Sequence, residues 1–234
     1  MISVCIATYN GEKYIKEQLE SILSQLETSD EVIVSDDNST DNTLKIIQSF
    51  CDKRIKIYTN KGLKGYSSNF ENALAKANGE YILLSDQDDV WLPNKVDTII
   101  NDLLKYDFVV TDAIVVNDNL ETLIPSHFNH AHTKGGLLNN FFKTRYIGAC
   151  MGFKKKILKK ALPFPRNKKL CPHDYWLTLI AETYFSVYME KTPCILYRRH
   201  SGTVTNGGVE KSSLSTINKI SRRLYCLYWL IMRI

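Results

Sequence analysis

The 234-residue sequence contains no run of 18 consecutive apolar residues, which excludes a helix long enough to cross a bilayer. It has no GxGxxG, and no GxxxxGK followed by Ser or Thr, so neither a dinucleotide-binding turn nor a P-loop is supported. Its six cysteines (Cys5, Cys51, Cys150, Cys171, Cys194 and Cys226) form no CxxC pair and no metal-ligand spacing. They read as reduced thiols, the usage of a cytosolic protein. The first strand pattern begins at once, leaving no room for a signal peptide. Internal repeats and low-complexity linkers are also missing, so one domain over residues 1–208 is expected, with a tail over 209–234. Acid is scarce in one place: between Lys154 and Lys169 eight basic residues occur without an Asp or Glu. Such a stretch suits a membrane surface or a phosphorylated acceptor, or simply a solvated helix face. With a formal charge of only +5, no nucleic-acid partner is expected.

What is present is ordinary in bulk, 44% hydrophobic and 24% charged, which fits a soluble globular protein. The first half alternates strand and helix patterns. Strands are predicted at 3–7, 31–35, 55–58 and 81–84. Helices are predicted over 14–26, from Thr40-Asp41 onward, and over 69–77, where Asn78-Gly79 stops the third. This βαβαβαβ rhythm argues for a parallel sheet flanked by helices, with ligands at the carboxyl ends of the strands. Beyond it, strands are expected at 108–111 and 149–153, and helices at 137–142 and 174–183.

The predicted strand ends carry a consistent polar set. The first ends in Ala7-Thr8-Tyr9-Asn10-Gly11, the second in Asp36-Asp37-Asn38-Ser39, and the fourth in Ser85-Asp86-Gln87-Asp88-Asp89. Three acids packed at one strand end repel one another and need a compensating partner. A hard divalent cation, Mg²⁺ or Mn²⁺, supplies it and also carries phosphate oxygens. The alternative is a solvated acidic turn capping the helix that starts near Pro93.

Together the opening Ile-Ser-Val-Cys-Ile-Ala-Thr-Tyr-Asn, the Asp-Asp-Asn-Ser turn and the Ser-Asp-Gln-Asp-Asp-Val-Trp stretch resemble the family 2 glycosyltransferases. The resemblance runs in order from residue 1 to about 208. It implies a GT-A (Rossmann-like) α/β fold, a mostly parallel sheet flanked by helices, with a short C-terminal helical tail. It also implies a nucleoside-diphosphate sugar donor, a divalent metal and inversion at the anomeric carbon. The wording around Asp86 looks most like rhamnosyltransferase-type members, implying dTDP-rhamnose, with UDP-sugars as alternatives.

Carried over by motif, Asp37 would accept the imide N–H of uracil or thymine, with Asp36 as its neighbouring candidate. Thr8 and Tyr9 would line the nucleoside pocket, or serve only as strand-end packing. Asp88 would ligate the metal, and Asp86 would contact the ribose or the metal's shell. Asp89 would orient Asp88, and Trp91 would pack under the sugar or in the core. Pro172-His173-Asp174-Tyr175-Trp176 resembles the family's acidic motif at a helix start, which makes Asp174 the general base or else an N-cap. Many members carry Glu-Asp there; here His173 precedes the Asp and is placed to tune its proton affinity. Tyr197-Arg198-Arg199-His200 resembles the late Arg/His segment: His200 would complete the metal shell, and Arg198 or Arg199 would clamp the pyrophosphate. Residues 203–208 would form a loop closing over the donor.

Two features lie outside the motifs. His127, His130 and His132 cluster in a loop-like context that suits acceptor contact or plain surface better than zinc. The tail places Lys219, Arg222 and Arg223 ahead of an apolar run at 224–232, too short to span but suited to an interfacial helix. It serves peripheral membrane contact, or packs on the catalytic domain or on a second subunit of a homo-oligomer. The expected partners are thus a nucleotide-sugar donor and a glycan or lipid-linked acceptor at the inner face of a membrane. Two rivals are a sugar nucleotidyltransferase, for which Asn10-Gly11-Glu12-Lys13 is a poor phosphate loop, and a non-catalytic scaffold of a glycan-assembly complex.

Overall fold

A computed structural model describes residues 1–200 and 216–233. Four strands, β1 (Ile2–Thr8), β2 (Glu31–Asp36), β3 (Ile55–Thr59) and β4 (Tyr81–Asp86), lie in the order β3-β2-β1-β4. All four are parallel. β1 and β2 sit between neighbours and under helices, so nearly every residue along them is buried, as both-face burial demands. The crossovers are α1 (Ile15–Leu23), α2 (Thr43–Ser49) and α3 (Tyr66–Leu74). On α1 the 3–4 spacing of Ile15, Leu19 and Ile22 points one stripe at the sheet, and all three are fully buried.

After β4 the chain forms β5 (Val90–Trp91), α4 (Lys95–Leu103), β6 (Phe108–Val116), β7 (Thr122–Ile124), α5 (His127–Ala131) and α6 (Leu137–Lys143). It continues through β8 (Met151–Lys154), α7 (Leu158–Ala161), α8 (His173–Tyr184), β9 (Val187–Arg198) and α9 (Thr216–Ile231). β8 runs antiparallel between β4 and β6, β9 is parallel to β6, and β5 is antiparallel to β9. The sheet is therefore parallel through its first half and mixed beyond it.

The twelve-residue β9 has no counterpart in the predicted elements. Its Glu190-Lys191-Thr192-Pro193 centre reads as a turn. In the fold the extra residues are absorbed by a register shift, Thr111 facing Glu190 and Asp112 facing Pro193. β9 matters for function because it carries Arg198 back beside the end of β4.

α9 packs on the domain by one face. Cys226 and Leu230 are buried in the same apolar cluster as the sheet, and the Tyr184 hydroxyl donates to the Leu230 carbonyl at 2.9 Å. The opposite face leaves Ile217, Ile220, Leu224, Leu227, Ile231 and Met232 exposed. Packing on the domain and an outward apolar face thus occur together.

Candidate active site

The carboxyl ends of β1, β2 and β4 meet on one side of the sheet, and side chains tie them together. Gln87 does most of this: its Oε1 accepts from the Tyr9 N–H at 2.8 Å and its Nε2 donates to the Tyr9 carbonyl at 3.0 Å. A Cβ on Gly11 would stand 2.4 Å from that Oε1, so a side chain there would push Gln87 off Tyr9. Asn69 of α3 donates to the Thr8 carbonyl at 3.0 Å and closes the same corner. Neither Gln87 nor Asn69 announces itself in the sequence, since an amide gains its meaning only from the backbone it reaches.

The two acids after β2 divide their work. Asp36 accepts from the Thr8 hydroxyl at 2.9 Å and from the Ser39 N–H at 2.8 Å. Asn38 sits in the left-handed region, φ 64°, which lets the turn fold back on Asp36. Asp37 faces the loop after β3, accepting from Asn60 Nδ2 at 3.0 Å and the Gly65 N–H at 2.7 Å. Thr8 is fully buried, so the expectation that it lines a nucleoside pocket is corrected: it positions Asp36. Tyr9 is exposed beside it and keeps a free surface.

At the end of β4, Asp86 and Asp88 are partly buried and Asp89 almost wholly so. Burial, with the charges of Asp88 and Asp174, pushes the Asp86 carboxyl up to about 7, against a lowering pull from Lys95. The influence of Asp174 puts the start of α8 within electrostatic reach of this turn. Asp88 Oδ2 lies 2.8 Å from His200 Nε2, pairing the acidic end of β4 with the segment after β9. Asp89 accepts from the Arg198 N–H at 3.0 Å, so it anchors the turn to β9 rather than orienting Asp88. Burial and the nearby Asp88 and Asp86 drive its carboxyl well above the usual range.

Among the described residues no group of three metal-ligating side chains is assembled. Asp88 and His200 offer two donors. That suits Mg²⁺ or Mn²⁺, which commonly take one or two protein ligands and complete the shell with phosphate oxygens and water. The pair fits a metal shared with a diphosphate and does not fit an all-protein cage.

Arg198 corrects a second expectation. It is almost wholly buried, its Nε donates to the Asp88 carbonyl at 2.8 Å and one terminal nitrogen to the Asp118 carbonyl at 2.8 Å. The other terminal nitrogen pairs with Glu17. Its fork is committed to holding the acidic turn and cannot also clamp a pyrophosphate. Arg199 lies beside it, partly exposed, its guanidinium 5.7 Å from the Tyr197 ring. Trp91 is likewise core, only 3% exposed, with the buried Lys95 ammonium 4.4 Å over its ring and donating to the Ala149 carbonyl at 2.6 Å. Burial lowers the Lys95 pKa, although Cys150, Cys194 and the two acids of the turn oppose it.

Asp174 is the second residue of α8, and Pro172 holds the cap position, so Asp174 is not an N-cap. Its Oδ1 accepts from the Tyr175 N–H at 2.7 Å, which fixes the direction of the carboxyl group at the head of the helix. His173 is buried against Phe70, rings stacked at 4.2 Å, with neither ring nitrogen partnered. Burial lowers its pKa, so it stands neutral behind Asp174.

The backbone N–H groups of Asn10, Gly11 and Glu12 are taken by Ser39, Thr43 and Asp41, and Lys13 pairs with Asp118 at 3.3 Å. That loop is closed to phosphate, which removes the physical basis of the nucleotidyltransferase reading. His127 is buried on the Arg145 carbonyl at 2.9 Å while His130 and His132 are exposed, so the three do not converge. The proposed closing loop at 203–208 lies outside the described residues.

A model of the family described as Glycosyl transferase family 2 matches residues 3–162. A dTDP-rhamnosyl transferase, RfbG of Shigella flexneri, is 30% identical over 94% of this chain and 80% of its own length. An Escherichia coli UDP-Glc:alpha-D-GlcNAc-diphosphoundecaprenol beta-1,3-glucosyltransferase, WfgD, is 28% identical over 88% and 80%. In structure, S. aureus TarS 1–349 in complex with UDP-GlcNAc matches with a TM-score of 0.70 at 21% identity, covering 99% of this chain and 72% of that one. The Pyrobaculum calidifontis mannosyltransferase in complex with GDP-Man and Mn²⁺ matches at 0.61 and 21%, over 82% and 54%. These two share its fold. The family match takes in every acid at the ends of β2 and β4, and on that ground the chain belongs to the family 2 glycosyltransferases.

Proposed function

We propose that this glycosyltransferase is an inverting, metal-dependent enzyme that moves a sugar from dTDP-rhamnose or a UDP-sugar to a glycan or lipid-linked acceptor in cell-surface polysaccharide synthesis. The observation that carries this reading is the juxtaposition of Asp88–His200, Asp86 and Asp174 at one end of the sheet. Asp37 meets the imide of the pyrimidine, and Asp88 with His200 holds Mg²⁺ or Mn²⁺. When bound, the cation neutralises charge building on the departing diphosphate. Asp174 accepts the proton of the acceptor hydroxyl as its oxygen attacks the anomeric carbon from the opposite face, which inverts that centre. Similarity to both a dTDP-rhamnosyl and a UDP-Glc transferase supports a pyrimidine donor and leaves its sugar to experiment.

No helix among the described residues is long and apolar enough to cross a membrane. The exposed apolar face of α9 supports peripheral attachment to the inner face of the cell membrane, where a lipid-linked acceptor is presented. The deciding experiment is a thermal-shift panel of dTDP, UDP and their sugars, each with Mn²⁺ and with EDTA, on the wild type and Asp88→Ala. A metal-dependent rise in Tm with one pyrimidine class, lost in Asp88→Ala, is expected. No shift with any nucleotide would overturn the donor reading and favour a scaffold.

A further inference from the structure

The mild net charge hides a strong asymmetry. Residues 122–173 contain eleven Lys or Arg and no Asp or Glu, so the rest of the chain is acidic on balance. Part of this basic stretch is neutralised from outside: Asp107 pairs with Lys154 and Lys156, and Glu71 with Lys168. The α6 end is not. There an open pocket of about 460 Å³ is lined by His132, Lys134, Leu138, Phe142, Lys143 and Arg145, with no acidic side chain on its wall. Among the described residues, Lys134, Lys143 and Arg145 have no ion pair. Cations gathered in a concave site without a counter-charge repel one another, and an anion relieves that repulsion.

The pocket's apolar part is equally unusual. Leu138 is 74% exposed and Phe142 is 59% exposed, although both sit on a helix whose other side is packed. The pocket also has a fixed relation to the chemistry. Tyr175, the residue after Asp174, donates from its hydroxyl to the Phe141 carbonyl at 2.7 Å. Arg223 of α9 donates to the next carbonyl, that of Phe142, at 2.8 Å, its guanidinium 5.0 Å from the Phe142 ring. The helix that bears the pocket is therefore tied both to the helix carrying the proposed base and to α9.

We propose that this pocket binds the phosphate end of an acceptor carried on an apolar chain: Lys134, Lys143 and Arg145 meet the phosphate oxygens, and Leu138 and Phe142 meet the chain. The site rests on the acceptor side of the functional reading above and names the handle by which that acceptor is held.

The test is calorimetric binding of farnesyl diphosphate, inorganic pyrophosphate and farnesol to the full chain in EDTA, which disables metal-dependent occupation of the donor site. Farnesyl diphosphate is expected to bind tightest, and Lys134→Ala/Lys143→Ala to weaken it by about tenfold or more. Leu138→Glu should weaken farnesyl diphosphate while leaving pyrophosphate unchanged. Both variants should keep the nucleotide-induced rise in Tm, which shows that fold and donor site are intact. Equal affinity of wild type and the double variant would overturn the proposal, as would loss of binding in Asp88→Ala, which would place the ligand in the donor site. Pyrophosphate binding as tightly as farnesyl diphosphate would overturn the apolar half. The measurement needs no turnover, and should no nucleotide shift the wild type, an unchanged Tm of the unliganded variants serves as the folding control, so failure of the donor panel leaves it interpretable.

Discussion

Asp174 and Asp88 do different work because different neighbours surround them. Asp88 touches His200 and adjoins two further acids, an arrangement that asks for a cation. Asp174 stands in the first turn of α8, held by the Tyr175 N–H and backed by a buried His173, an arrangement that keeps its carboxyl group aimed. Asp174→Asn is accordingly expected to keep metal-dependent nucleotide binding and lose roughly 10²–10⁴-fold in transfer rate. Single-turnover kinetics alongside calorimetry separate the two effects, and turnover near the wild-type rate would place the base elsewhere. Arg198 illustrates the opposite lesson. Its sequence context suggests ligand contact, yet burial and three committed nitrogens make it a strut for the acidic turn.

At the scale of elements, the two ends of the parallel strands are specialised. The carboxyl ends carry the site, and the amino ends carry a polar knot centred on Glu31 at the start of β2. Glu31 accepts from Ser3 of β1 at 2.6 Å, from Lys56 of β3 at 2.6 Å and from the Asn78 N–H ahead of β4 at 2.7 Å. Burial raises its pKa, but the hydrogen bonds from Lys56, Ser3 and Asn78 outweigh this and bring it down to about 2. A carboxylate depressed in the folded state stabilises the fold above its unfolded pKa. That contribution fades as pH falls from about 4.5 toward 2. Glu31→Gln should therefore lose on the order of 3 kcal/mol at pH 7, and the gap to wild type should narrow through that acid window. Urea unfolding at pH 7, 4 and 3 measures it; a gap constant with pH would mean the knot does not depend on charge.

For the whole molecule, α9 is both part of the core and part of the surface. Removing it would uncover the buried neighbours of Cys226 and Leu230, so deletion of the tail confounds attachment with folding. Leu224→Glu, Leu227→Glu and Ile231→Glu alter only the outward face. Wild type is expected to co-sediment with vesicles rich in phosphatidylglycerol, and the triple variant to keep its Tm within a few degrees and to lose that co-sedimentation. Undiminished sedimentation would remove α9 from the membrane reading.

The sequence by itself determined the parallel half of the sheet, because strands buried on both faces must be continuously apolar and their crossovers must carry a 3–4 stripe. It also determined where the acids stand, since strand ends and a helix start are legible in Asp36-Asp37, Asp86 to Asp89 and Asp174. It did not reveal β9, whose charged centre and Pro193 resemble a turn until a register shift against β6 absorbs them. Nor did it separate Arg198 from Arg199, Thr8 from Tyr9, or Trp91 from a sugar platform. Those distinctions depend on which way a side chain faces once distant segments have packed, and only tertiary structure decides that.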